Sequence, residues 1–104
     1  MRRYQSLRRR SDFARVQRRG KRQVGPLFVL LTAEARTTSR VGITVSKAVG
    51  NAVVRNRLRR RVKAILDRSA FGEPPHRDAV LIALPGAGEA DFAAVAAELR
   101  RLFP

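Results

Sequence analysis

The sequence predicts one α+β domain over residues 1–104, a four-stranded sheet with three helices in the order αβββαβα. Three observations predict it. Apolar stretches of strand length stand at 27–32, 41–46 and 79–84, bounded by turn residues. Apolar residues recur at helical spacing within 12–19, 53–68 and 91–102. Leu, Ile, Val and Phe number 29 of 104 residues, enough for a modest core in a heavily charged chain.

The elements follow in order. Residues 1–10, MRRYQSLRRR, read as a flexible basic arm in which Tyr4 is a lone interaction residue. Ser11 is placed to cap a helix from Asp12 to Arg19, and Gly20 to stop it. Phe13, Val16 and Gln17 share one face of this helix, and Arg15, Arg18 and Arg19 the other. Lys21–Val24 begins a short strand that Gly25-Pro26 breaks. Leu27–Thr32 is a second strand, and Arg36–Ser39 a turn. In the third, Val41, Ile43 and Val45 alternate with Gly42, Thr44 and Ser46, so one face is core and the other small. The residues alone leave that small face open between a groove floor and an ordinary solvent face. Asn51 caps the next helix, Glu73-Pro74-Pro75 ends its exit, and Ala79–Leu84 is a buried strand closed by Pro85-Gly86. Asp91 opens the last helix, with Phe92, Val95, Leu99 and Leu102 at helical spacing.

Charge sets the class of partner. Lys and Arg number 23 against 8 acids, a net of +15. Residues 1–68 carry 20 bases and 3 acids, and residues 69–104 carry 3 bases and 5 acids. Codon bias accounts for the Arg-over-Lys choice but not for this segregation. A polyanion relieves the self-repulsion of such a surface, and nucleic acid fits better than a membrane surface. With no cysteine, disulfides and thiolate metal sites are excluded and a reducing compartment fits. The basic N-terminus is followed by no apolar segment, so no secretory signal is expected, and no apolar run spans a membrane.

The basic charge peaks in AVVRNRLRRRVKAI, residues 52–65. At about 100° per residue, Val54, Leu58, Val62 and Ile65 fall in a stripe about 80° wide. Asn56, Arg60 and Lys63 lie opposite, with Arg55, Arg57, Arg59 and Arg61 on the flanks. A solvated helix face mixes Glu with Lys or Arg at i,i+4, yet no acid stands between Arg55 and Leu66. The pattern reads as a phosphate-binding face, with Arg bridging phosphate oxygens and Asn56 meeting a base edge or 2′-hydroxyl.

These residues also carry a resemblance. RVGITVSKAVGNAVVRNRLRRRVKAI is similar to the signature of the bacterial ribonuclease P protein family, through Lys47, Gly50, Ala52, Val53, Arg55, Asn56, Arg59 and Arg60. SDFARVQRRGKR resembles the family's first helix and RDAVLIAL its late strand. The resemblance implies a four-stranded sheet whose two parallel strands are joined through the basic helix by a left-handed crossover, against the general right-handed rule. It implies a catalytic RNA as partner and precursor tRNA as substrate, with magnesium bound by the RNA performing the hydrolysis. It implies RNA contacts at Lys47, Arg55, Asn56, Arg57, Arg59, Arg60, Arg61 and Lys63. It implies a groove for the 5′ leader lined by Phe13, Gln17, Leu31, Thr44 and Ser46. Ala48 stands where a second base is common, and Gln17 and Leu31 where aromatics are frequent, so base stacking is expected to be weaker here.

No catalytic or metal-binding constellation is legible. His76 is a lone loop histidine, the carboxylates show no metal-ligand spacing, and no Gly-rich phosphate loop occurs. The protein alone is expected to be inert, to bind no metal itself, to need no protein partner and to act in the cytoplasm. The rival readings are a basic ribosomal or RNA-chaperone-type protein and a DNA-binding module. The motif from Lys47 to Arg60 argues against the first, and the lack of a helix-turn-helix pattern against the second.

Overall fold

The structure, a computed structural model, describes residues 4–103. In chain order the elements are β1 (Tyr4–Ser6), α1 (Arg10–Arg19), β2 (Lys21–Val24), β3 (Phe28–Glu34), β4 (Ser39–Thr44), α2 (Ala52–Asp67), β5 (Arg77–Ala83), a 3₁₀ turn (Pro85–Gly88) and α3 (Phe92–Leu102). The strands form one mixed sheet in the order β1-β4-β5-β3-β2. β1 and β5 run parallel to β4, whereas β3 is antiparallel to both β5 and β2.

The sheet therefore has five strands, not the four expected from the sequence, and the extra one lies in the expected basic arm. Residues 1–3 of that arm lie outside the described residues. Tyr4 and Leu7 are only 6% and 4% exposed, and the Leu7 N–H donates to Val41 O at 2.9 Å. The Tyr4 ring meets Phe71 edge-on at 5.8 Å, and its hydroxyl donates to Asp67 Oδ1 at 2.7 Å. Two apolar side chains order the segment while Arg8, Arg9 and Arg10 after them stay in water.

Side-chain alternation assigns the two faces. Phe28, Leu30, Val41, Val45, Ala79, Leu81 and Ala83 point to the main core, where α2 supplies Leu58, Val62, Ile65 and Leu66 and α3 supplies Val95, Leu99 and Leu102. Val54, the first residue of the expected stripe, is half-buried beside Gly50 and Gly88. Phe92, expected on the buried face of α3, is 47% exposed. On the opposite face Leu31 and Val80 pack with Leu7 and Val16, joined by Phe13 and Ile82. α1 thus lies alone on that side.

The helix ends follow capping chemistry with one correction. Asn51 accepts from Val54 N–H at 3.0 Å and Asp91 from Ala94 N–H at 2.8 Å. Ser11 is not the cap of α1: the helix begins at Arg10 behind Arg9, which makes no side-chain cap bond. Gly20 ends α1 in extended geometry and is required by close approach, since a Cβ there would sit 2.3 Å from Val16 O and 2.9 Å from Thr32 O.

Candidate nucleic-acid interface

The register of the sheet generates a graded surface beside α1. Three rows of side chains face this helix. Arg40, Asp78 and Ala33 form the first, Gly42, Val80, Leu31 and Arg22 the second, and Thr44, Ile82, Val29 and Val24 the third. α1 covers the second row, where Val16 is fully buried and the Phe13 ring lies directly over Gly42. A Cβ on Gly42 would fall 2.2 Å from Phe13 Cζ, so only glycine admits the ring here. In the third row Thr44 is exposed, Ile82 half-buried, Val29 buried and Val24 61% exposed. This apolar strip beside the helix is a floor on which a strand of bases could lie.

The expected groove residues divide across these rows. Phe13 is half-buried on the rim, Gln17 is exposed on α1, and Thr44 and Ser46 are exposed at the end of β4 and beyond it. Leu31 is 8% exposed and belongs to the packing under α1. Val24, Val29 and Ile82 were missed in the sequence. Val29 and Ile82 sit in ordinary apolar runs and Val24 ends the polar stretch Lys21–Val24, and only pairing across β2, β3 and β5 aligns them with Thr44.

The basic helix separates into two kinds of arginine. Asn56, Arg57 and Arg60 are exposed on its outer face, while Arg55, Arg59, Arg61 and Lys63 are half-buried on its flanks. Arg61 Nη1 donates to Ala90 O at 3.2 Å, and Arg57 Nη2 reaches Gly88 O at 3.5 Å. These bonds tie α2 to the turn before α3. Arg55 Nε is buried without a hydrogen-bond partner among the described residues. Arg59 Nη1 leans toward Asn56 Oδ1 at 3.4 Å. Lys47 is exposed in the loop after β4. Arg59 and Lys63 share a shallow cavity of about 200 Å³ with Phe13, Gly42 and Ile43, so the flank of α2 adjoins the rim of the groove.

A second charged cluster lies under the start of α1. Asp78 is 1% exposed. Arg40, its ladder partner, donates from Nε to Oδ1 at 2.9 Å and from Nη2 to Oδ2 at 2.7 Å. Arg15 also donates to Oδ2, and Asp12 accepts from Arg40 Nη1 at 3.2 Å. Burial pushes the Asp78 carboxyl upward, but the hydrogen bonds and charges of Arg40 and Arg15 outweigh it and hold the carboxyl below its ordinary range. Arg40 is raised in turn, chiefly by its hydrogen bond to Asp78. His76, just before β5, places Nδ1 3.4 Å from Ser39 Oγ at the start of β4, one step along the ladder from the Arg40–Asp78 pair. Among the described residues no three His, Cys, Asp or Glu side chains converge as metal ligands, and no helix is long and apolar enough to cross a membrane.

A small mixed sheet with a basic helix whose outward face carries no acid on one side and a partly uncovered strip beside a second helix defines a polyanion-binding α+β protein. Comparison with known proteins sharpens the class. The family model described as Ribonuclease P matches residues 1–104, and the chain belongs to this family. It is 45% identical over 104 residues to the ribonuclease P protein component of Streptomyces avermitilis, covering 89% of this chain and 84% of that protein. The Streptomyces bikiniensis protein is 43% identical over 103 residues, with the same coverage. The solved ribonuclease P protein of Thermotoga maritima superposes with a TM-score of 0.83 at 33% identity, over 95% of this chain and 94% of that one. That of Staphylococcus aureus gives 0.82 at 26% identity, over 92% and 89%. The chain is thus the protein component of a ribonucleoprotein endonuclease that matures the 5′ end of tRNA.

Proposed function

We propose that this subunit binds the catalytic RNA through α2 and the 5′ leader of precursor tRNA through the strip beside α1. The observation that carries the reading is the outward face of α2, where Asn56, Arg57 and Arg60 are exposed and no acid intervenes. Arg55, Arg59, Arg61, Lys63 and Lys47 surround it, and their charge attracts phosphates whose counterions are released on binding. On the other side Phe13 and Gln17 form the rim of the leader groove, Thr44 and Ser46 one end of its floor, and Leu31 the packing beneath. Contacts of this kind tolerate any base, so leader recognition is broad. Magnesium held by the RNA supplies the hydrolysis. The protein residues bind and orient the substrate and offset its charge, and the subunit without RNA does not cleave. The crossover from β4 through α2 to β5 is left-handed in this reading, and the particle works in the cytoplasm.

The test is reconstitution with a bacterial ribonuclease P RNA. The subunit should lower the magnesium or salt requirement for precursor-tRNA cleavage and bind leader-bearing tRNA more tightly than mature tRNA. Binding to RNA without preference for the leader and without effect on cleavage would instead favour a general RNA chaperone.

A further inference from the structure

The cluster of Asp12, Arg15, Arg40 and Asp78 is not explained by phosphate binding. Its two cations and two anions sum to zero, and Asp78 is buried beneath the others. An acid would be better absent from a surface that binds RNA, and residues 1–68 hold only three acids, Asp12, Glu34 and Asp67. Asp12 is one of them, and it lies one residue before Phe13. The cluster joins three elements: Arg15 and Asp12 from α1, Arg40 from β4 and Asp78 from β5. It lies in the row of side chains next to Gly42, the residue under the Phe13 ring. Val16 holds α1 down by apolar contact alone, which permits rotation and sliding. Directional bonds between guanidinium and carboxylate do not permit either.

We infer that Asp78, Arg15, Arg40 and Asp12 form a positioning cluster that fixes the start of α1 on β4 and β5. It sets Phe13 on Gly42 at the rim of the strip, and leader binding depends on the two carboxylates although they repel the leader itself. The inference rests on the leader-groove reading above. It predicts a sign opposite to simple electrostatics. Neutralising a carboxylate on a protein that binds a polyanion should strengthen binding, and it also frees Arg15 or Arg40 for phosphate. Neutralising a positioning carboxylate should weaken it.

The experiment measures affinity of the reconstituted holoenzyme for precursor tRNA and for mature tRNA in Asp12→Asn, Asp78→Asn, Phe13→Ala and the Asp12→Asn/Phe13→Ala pair. Both Asn variants should lower affinity for the leader-bearing substrate, with mature tRNA unchanged. Full loss of register should approach about five-fold or more, the lower end for removing one base stack. Asp12→Asn should add little once Phe13 is gone, because the cluster acts through that ring. If Phe13→Ala weakens leader binding but both Asn variants leave it equal or tighter, the cluster does not position the site. If Phe13→Ala has no effect, the groove reading falls and this inference with it. Thermal melting checks folding. Should Asp78→Asn fail to fold, Asp12→Asn decides alone, since Asp12 keeps 19% of its side chain in solvent and its loss leaves Asp78 paired with both arginines.

Discussion

Gly42→Ala is the substitution that best separates packing from binding. The added Cβ would lie 2.2 Å from Phe13 Cζ, 2.6 Å from Cε1 and 3.1 Å from Cε2. Ordinary carbon contacts need about 3.5 Å or more, so the ring must retreat by roughly 1.5 Å or swing toward solvent. It can do so cheaply, because these atoms are the free end of a half-buried side chain and not backbone. Overpacking a closed core costs about 1–3 kcal/mol, and this open site should sit at or below the lower end. A strand alanine also recovers part of what glycine loses in backbone entropy. Stability should therefore fall by about 1 kcal/mol or less, which thermal melting of the free subunit would read. Leader binding should respond more strongly, since a displaced ring can forfeit a stack worth about 1–3 kcal/mol, or roughly 5- to 150-fold in affinity. The assay compares leader-bearing with mature tRNA on the reconstituted holoenzyme. Unchanged leader affinity with a ring demonstrably moved would refute the role of Phe13. A large drop in melting temperature with equal loss for both tRNAs would place Phe13 in the core.

Other outcomes follow from the same geometry. Arg60→Ala, on the exposed face of α2, should weaken catalytic-RNA binding and flatten its salt dependence by about one counterion per lost phosphate contact, with no change in melting temperature. Arg61→Ala should also lower stability, by about 1 kcal/mol, because it removes the bond to Ala90 O; denaturant titration distinguishes the two arginines. Leu58→Ala, at a site 2% exposed, should cost about 2–5 kcal/mol in denaturant midpoint measurements. Asp78 is held below its ordinary range, so its stabilising contribution is complete above the unfolded carboxyl value of about 3.9 and is lost as pH falls through the folded value. Asp78→Asn should flatten the acid side of the stability profile. At neutral pH it should cost about 3 kcal/mol, the lower end for breaking a buried pair, because both guanidiniums keep about a third of their surface in water.

Periodicity made the three helices and β4 legible, and apolar runs and the Gly25-Pro26 break made three more of the five strands so. The apolar stripe of α2 and the alternation in β4 each repeat often enough to show a phase. β1 has three residues, too few to show any, and the arginines on both sides mask its apolar content. The basic face of α2 was legible for the same reason as its core face: both lie on one helix, so spacing alone places them. Arg61 shows the limit of that argument. A wheel puts it on a flank, but only the tertiary path of residues 85–90 brings the Ala90 carbonyl within reach. The groove floor was less legible still. Val24, Val29, Ile82 and Thr44 come from four strands, and their alignment depends on three registers that no local pattern encodes.

The segregation of charge acquires a structural meaning from these faces. α3, in the acidic third of the chain, packs on α2 behind the main core, and its buried Glu98 accepts from the Leu27 and Phe28 N–H groups at 2.9 and 2.7 Å. That carboxylate secures the turn between β2 and β3, the strands that carry Val24 and Val29. Glu98 thus holds up the scaffold from the main-core side, whereas Asp78 does so from beneath α1. The basic half supplies all of both proposed RNA surfaces except Ile82, and two of its three acids, Asp12 at α1 and Asp67 beside β1, are engaged by Arg40 and Tyr4. An acid on such a surface weakens binding to a polyanion unless it holds something in place. Asp12 meets that condition through Arg40, which is why its neutralisation distinguishes a structural from an electrostatic account of the groove.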